Sequence, residues 1–93
     1  MSQPPIAPDA APRLPRGVRL KHDKVRGRWV LLAPERIFEV DETGVEILKR
    51  CDGRRYDALL AGLAAAFAIP VEDISGDVDA FLADFANKRV VDL

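Results

Sequence analysis

His22 and Cys51 are the only histidine and the only cysteine in this chain. Nucleophilic or general acid–base catalysis would need one of them beside a partner: a base for the nucleophile, or a carboxylate to orient the imidazole. His22 is followed by Asp23 at the end of an alternating segment, a setting that reads as a solvated turn. Cys51 shares helical spacing with Gly44, Ile47 and Leu48, so it reads as a small core residue and not as a reactive thiolate. One Cys and one His fall short of the four protein ligands of a structural zinc site. The cluster Glu72, Asp73, Asp77 and Asp79 lacks the spacing and the glycine of a calcium loop; it reads as carboxylates near a helix N-terminus. Ser75 is too short a match to a carrier protein's prosthetic-group serine and reads as a helix cap. Gly53 and Gly76 are isolated, so no glycine-rich phosphate loop is present. These residues predict no catalytic site, no cofactor and no metal.

Ninety-three residues, 48% of them hydrophobic, make one domain with one modest core, much of it alanine. The net charge of -1 argues against nonspecific attraction to nucleic acid, which needs clustered Lys and Arg in excess. No run approaches the roughly 18 apolar residues of a membrane span. The start, Met1-Ser2-Gln3-Pro4-Pro5, lacks the basic and apolar regions of a signal peptide. With a single cysteine, no internal disulfide is available, and the expected location is cytoplasmic.

The elements follow from periodicity. Residues 1–16 hold five of the seven prolines and read as an extended mobile tail or a linker, with the domain proper at 17–93. Val18–His22 alternates as a strand, with Val18 and Leu20 facing in and Arg19 and Lys21 out. Asp23–Gly27 turns the chain, with Gly27 suited to a positive φ. Arg28–Ala33 is apolar on both faces around Trp29-Val30-Leu31-Leu32, which makes it the central strand, and Trp29 a core anchor. Pro34 turns into a third strand, Arg36–Val40, with Phe38 and Val40 on one face and Ile37 and Glu39 on the other. Asp41 is an N-cap for a short helix ended by Asp52-Gly53. Tyr56, Leu59, Leu60, Leu63, Ala64 and Phe67 form the stripe of a second helix, stopped by Ile69-Pro70. Val71, Ile74, Val78, Phe81, Leu82 and Phe85 form the stripe of a last one, where Gly76 is a candidate break. Lys88 and Arg89 suit its C-terminal end, and Val90-Val91 a short extended tail. The order predicts an α+β domain, winged helix-turn-helix-like: a three-stranded antiparallel sheet followed by three helices.

What remains for function is a surface. In a three-stranded meander the third strand is an edge, whose free N–H and C=O groups can pair with an extended peptide. The last helix would form the other wall of a groove, with Ile37, Val78 and Phe81 meeting ligand side chains. The residues alone leave this reading level with a merely solvated edge.

More specific is the run Pro15-Arg16-Gly17-Val18-Arg19-Leu20, followed by Arg26-Gly27-Arg28-Trp29-Val30-Leu31-Leu32-Ala33-Pro34-Glu35-Arg36. It resembles the pyrroloquinoline quinone biosynthesis protein D (PqqD) family, and Ile47-Leu48, Cys51-Asp52-Gly53, Asp77-Val78 and Phe81-Leu82 continue the likeness in order. The resemblance covers about residues 13–91; its specific parts are Leu-Leu-Ala-Pro-Glu-Arg and the later Asp-Gly. The second helix departs from the pattern, beginning Arg54-Arg55-Tyr56-Asp57 where a threonine near Tyr56 is expected, which bears on its local cap and not on the family resemblance. The resemblance implies a noncatalytic peptide chaperone with a peptide-recognition fold (the RiPP recognition element). It would bind the precursor peptide PqqA and present it to the radical SAM enzyme PqqE, which joins a glutamate and a tyrosine of that peptide. The leader would add as a strand against the third strand and the last helix. On this chain those positions are Arg36, Ile37, Phe38, Glu39 and Val40, with Asp77, Val78, Phe81, Leu82 and Phe85; some of the apolar ones must face the core instead. The alternative, a winged-helix nucleic-acid-binding domain, requires a basic recognition helix, and the last helix begins acidic.

Overall fold

The computed structural model describes residues 5–93. Three strands, β1 (Arg19–Asp23), β2 (Arg28–Ala33) and β3 (Arg36–Val40), precede three helices, α1 (Glu42–Lys49), α2 (Tyr56–Phe67) and α3 (Val71–Asn87). The sheet is antiparallel in the order β1-β2-β3, so β2 is central and β3 an edge. Val18 lies outside the ladder because its amide is bonded to the Pro15 carbonyl at 3.1 Å. The β1–β2 turn is held by the Asp23 carboxylate, which accepts from the Val25 and Arg26 amides, and by Gly27 at φ +66°. The β2–β3 loop has only two residues, with Ala33 paired to Arg36 and Glu35 at φ +61°.

Register assigns the sheet its two faces. Leu20, Leu31 and Phe38 lie in one row across the strands, and His22, Trp29 and Val40 in another. Leu31 and Val40 belong to the core, and Leu20, Trp29 and Phe38 pack against it, so this is the inner face. Here α1 meets β1 and β3. The core continues through Val45, Ile47, Leu48 and Cys51 of the α1 region, Tyr56, Leu59, Leu60 and Leu63 of α2, and Val78, Leu82 and Phe85 of α3. Trp29 is less buried than expected: its ring lies 4.9 Å from that of His22 and 5.4 Å from the Lys49 ammonium, covered by polar neighbours.

The proline-rich segment departs from the expectation of a mobile tail. Residues 1–4 lie outside the described residues, but from residue 6 onward the chain docks. Pro12 is fully buried, and Ile6, Ala10 and Leu14 pack against the core. Proline lacks an N–H but keeps its carbonyl, and the carbonyls of Pro8, Ala10 and Pro12 all accept from the fold, while Arg13 and Leu14 also donate their amides. The Ala10 carbonyl accepts from the Tyr56 amide at 2.8 Å and the Pro8 carbonyl from the Asp57 amide at 3.1 Å. These are first-turn amides of α2, which has no side-chain N-cap. The strap is thus the cap that Arg54-Arg55 does not supply. Arg13 exchanges two 2.8 Å backbone bonds with Asp92, tying both ends of the fold together over the buried Val90 and Val91.

Helix ends depend on local backbone geometry. The Asp41 carboxylate accepts from the Gly44 amide at 2.7 Å, as an N-cap should. α2 closes with Ala68 at φ +54° and an Ile69 amide to Ala64 carbonyl bond of 3.0 Å, before Pro70 is reached. α3 closes the same way through Arg89 at φ +62°. Gly76 does not divide α3, which runs unbroken over its 17 residues. α2 and α3 meet at a bend of 119°, the angle of a helix-turn-helix. Among the described residues, no single helix is long and apolar enough to cross a membrane.

Candidate functional site: the third strand and the groove beside it

A two-residue hairpin loop closes on a hydrogen-bonded pair, and such pairs alternate along an antiparallel ladder. Counting from Ala33↔Arg36, the next hydrogen-bonded pairs are Leu31↔Phe38 and Trp29↔Val40. Phe38 and Val40 therefore direct their backbone groups to β2. Ile37 and Glu39 direct theirs out of the sheet, where no further strand lies among the described residues. The free edge is a short row of two N–H and two C=O groups.

Inside this edge, aromatic rings join strand to helix. Phe38 lies 6.0 Å from Phe85 of α3, and Phe85 stacks on Phe81 at 4.4 Å. The Arg36 guanidinium lies 5.4 Å from the Phe38 ring and the Lys88 ammonium 5.7 Å from Phe85; Lys88 is also 2.6 Å from Asp84. Farther along, a cavity of about 220 Å³ opens between the start of α1, the end of α2 and the first half of α3. Ile47, Leu63, Phe67, Ile74, Val78 and Phe81 give it an apolar lining, and Asp41 and Asp77 are its only charged members. Gly44 holds these parts close. A methyl at its α-carbon would stand 2.6 Å from Val40 Cγ1 of β3 and 3.0 Å from Phe81 Cε2 of α3.

The ten residues expected at the site divide accordingly. Val40, Leu82 and Phe85 are buried in the core, and Val78 is buried with part of its surface on the cavity. Phe38 and Phe81 are half-buried between core and groove, and Arg36 and Asp77 are exposed. Ile37 and Glu39 point to the outer face of the sheet, Ile37 at 68% exposure and Glu39 paired with Arg28. The strand and helix are brought together, but their side chains do not form one continuous lining. Sequence reasoning missed Asp41, Thr43, Gly44, Ile47, Leu63, Phe67 and Ile74 as groove residues. The one available signal was the helical stripe of α2 running on to Phe67, which is 39% exposed where the stripe predicts burial.

The candidate chemical groups are committed elsewhere. Burial pushes the Cys51 thiol up to about 12, and its sulfur donates to the Ile47 carbonyl at 3.4 Å. Burial, and then a hydrogen bond to Asp79, raises the Tyr56 hydroxyl above its ordinary range and ties α2 to α3. His22 lies against Trp29. Among the described residues, no three His, Cys, Asp or Glu side chains cluster to hold a metal ion.

Comparison with known proteins adds an independent line. The chain is 45% identical over 89 residues to a PqqA binding protein of Xanthomonas oryzae pv. oryzae, covering 95% of this chain and 97% of the relative. It is 42% identical over 91 residues to one from Rhizobium meliloti, covering 97% and 93%. Its fold superposes with a TM-score of 0.78 on the solution NMR structure of the PqqD truncation of Methylobacterium extorquens PqqCD, described as a functional and stand-alone RiPP recognition element. That match is 41% identical and covers 94% of each chain. The crystal structure of PqqD from Xanthomonas campestris gives a TM-score of 0.57 at 39% identity, over 95% of this chain and 99% of the other. Residues 28–91, from β2 to the buried Val91, match the family model of coenzyme PQQ synthesis protein D. With sequence, fold and element order in agreement along nearly the whole chain, it belongs to the PqqD family.

Proposed function

We propose that this chain is a noncatalytic adaptor that binds the precursor peptide PqqA as an added strand on β3 and presents it to the radical SAM enzyme PqqE. The observation that carries the reading is the free backbone edge at Ile37 and Glu39 beside an apolar groove. Main-chain bonds to an edge supply affinity that tolerates sequence, and alternate side chains entering a groove supply selection. Peptide residues on the inner side would meet Phe38, Phe81 and the cavity rimmed by Asp41 and Asp77; Val40, Leu82 and Phe85 act by holding those groups in place. The contribution to the chemistry is effective concentration: a tethered peptide samples the enzyme without a second diffusional encounter. A nucleic-acid role is disfavoured because α3, the second helix of the helix-turn-helix, carries Glu72, Asp73, Asp77, Asp79 and Asp84 and no Lys or Arg.

The test is an amide NMR titration of the labelled protein with the precursor peptide, beside Ile37→Pro. Ile37's N–H points away from the ladder, so proline there removes an edge donor without removing a bond to β2. The expected result is amide shifts centred on residues 36–40 and the groove side of α3, and an affinity at least tenfold weaker in a folded Ile37→Pro protein, about one charge-free hydrogen bond plus strand distortion. Unchanged affinity would refute the β3 site, and no shifts with excess peptide would refute peptide binding by the chain alone.

A further inference from the structure

The outer face of the sheet carries a second feature, on the side away from the helices. Register places Arg19, Leu32 and Ile37 in one row there and Lys21, Val30 and Glu39 in the next. Val30 is buried yet stands apart from the core cluster. Leu32 is half-buried, and Ile37 is exposed. Val25, at the tip of the β1–β2 turn, is 96% exposed, the most exposed large apolar residue among those described. Val25, Val30, Leu32 and Ile37 line one depression of about 450 Å³.

The charge around this apolar centre is mostly positive, and Glu39, the one carboxylate in the two outer rows, is paired with Arg28. Residues 13–36 hold eight of the chain's fourteen Lys and Arg and only two of its fifteen Asp and Glu. One of those two, Asp23, is occupied by the turn amides and by Arg26 at 3.7 Å. Arg19, Lys21 and Lys24 make no salt bridge among the described residues. An apolar centre with a polar, charged rim is the composition of a protein–protein interface. Phosphate binding by nucleic acid would use the cations but gives no reason to expose Val25 and Ile37.

We propose that the outer sheet face is a second docking surface, for a folded protein that presents carboxylates around an apolar knob. Lys21 and Val25 lie on the β1 side, two strand spacings, or about 10 Å, from the free edge of β3. Peptide and partner can therefore be held at once. The apolar groove, whose only charged members are Asp41 and Asp77, and the basic outer face differ in character, which keeps their two partners from exchanging places.

The inference takes its probe from the presentation step proposed above, so peptide affinity is measured in parallel. Binding of PqqE to the full chain is measured with and without peptide, for the wild type, K21Q/K24Q, K21E/K24E and V25S. Val25 buries almost nothing in the free chain, so V25S tests the complex and not the fold. The expected result is a graded loss through the two charge variants, reaching about tenfold in K21E/K24E at low salt and shrinking at high salt, several-fold loss in V25S, and unchanged peptide affinity. Unchanged enzyme binding in all three variants overturns the assignment. So does an equal fall in peptide affinity, which would make this face part of the peptide site. Self-association or duplex DNA binding that the charge variants abolish would give the face to a second copy or to nucleic acid and overturn it too. A wild-type chain that binds peptide but never binds the enzyme removes the presentation step, and this assignment with it.

Discussion

Two helical glycines make the same substitution act in opposite directions. Glycine in a helix costs about 0.5–1 kcal/mol relative to alanine, so Gly→Ala is stabilising by default. At Gly76 of α3 an added β-carbon meets nothing within 4 Å. G76A should therefore gain up to about 1 kcal/mol, or about 4–8 °C in Tm for a domain of this size. At Gly44 the new methyl would stand 2.6 Å from Val40 Cγ1, 3.0 Å from Phe81 Cε2 and 3.2 Å from the Asp41 carboxylate oxygen that caps the helix. Val40 is β-branched and buried, so it has no easy rotamer to yield into. Overpacking of this kind costs about 1–3 kcal/mol, against a propensity gain of less than 1 in the first turn. The expected net loss for G44A is about 1–2 kcal/mol.

The assay is urea unfolding of wild type, G44A and G76A, with Tm as a second probe. A lower midpoint at unchanged slope is the expected result for G44A, and a higher one for G76A. Because Val40 belongs to β3 and Phe81 to α3, G44A should also weaken peptide binding by more than its stability loss explains, while G76A leaves binding unchanged. If G44A matches or exceeds the wild type in stability, the close approach of β3, α1 and α3 at Gly44 is wrong, and so is the argument that this glycine sets the groove width.

Three further outcomes follow from the ends of the elements. A chain starting at residue 17 loses the Ala10 and Pro8 caps of α2 and the burial of Pro12, a loss of about 3–5 kcal/mol out of a total of roughly 5–15, and should show lost near-UV dichroism or a collapsed unfolding midpoint; a cooperative transition at the wild-type midpoint would show the strap to be dispensable. Ala68→Gly should raise stability by about 0.5–1 kcal/mol, since Ala68 closes α2 at a positive φ that glycine adopts freely, and an unchanged or lower urea midpoint would contradict this. Hydrogen bonding from Arg54 holds the Asp52 carboxyl down at about 2; because the folded value is depressed, its contribution to stability is present above the ordinary carboxylate range and is lost as pH falls through about 2, so carboxyl NMR should show a midpoint near 2 and D52N should flatten this part of the acid limb, whereas a midpoint near 4 would dismiss the Arg54 bond.

The sequence was most legible where one residue type had one physical consequence. Asp41 caps α1, Gly27 takes a positive φ, and β2, apolar on both faces, lies at the centre of the sheet. The pairing of Phe38 with Val40 and of Ile37 with Glu39 on opposite faces also held, because a period of two leaves no other choice, but Ile37, expected in the groove with Val78 and Phe81, lies on the outer face. The strap was misread because proline content reports missing donors and says nothing of carbonyl acceptors; the departure at Arg54-Arg55 pointed to the α2 cap but not to the strap that supplies it. Gly76 did not break α3 because the cost of one glycine is small against the packing of Val78, Leu82 and Phe85. Apart from the α2 stripe running on to Phe67, the cavity was not legible: it arises where three helices converge, and the sequence distances between Gly44, Phe67 and Ile74 carry no sign of that meeting.

The candidate site makes the same point about what kind of information a sequence holds. Which side chains lie on which face of β3 follows from alternation, but which backbone groups are free depends on the loop. Two residues, Pro34 and Glu35, link β2 to β3, and that number alone makes Arg36, Phe38 and Val40 the ladder partners. The parity then couples two properties that have no chemical connection. The residues with free amides, Ile37 and Glu39, are also those whose side chains point to the outer face, and the residues with groove-facing or core side chains, Phe38 and Val40, have no amide to offer. An added strand must therefore bond to one pair of residues and read the side chains of another, with α3 supplying the rest of the inner surface. On the proposed site, that division would let a short, half-polar edge stay open: Arg36, Glu39 and the exposed Ile37 offer an indiscriminate partner little inner-face contact, and a peptide that also satisfied the groove beside α3 would gain more from pairing there.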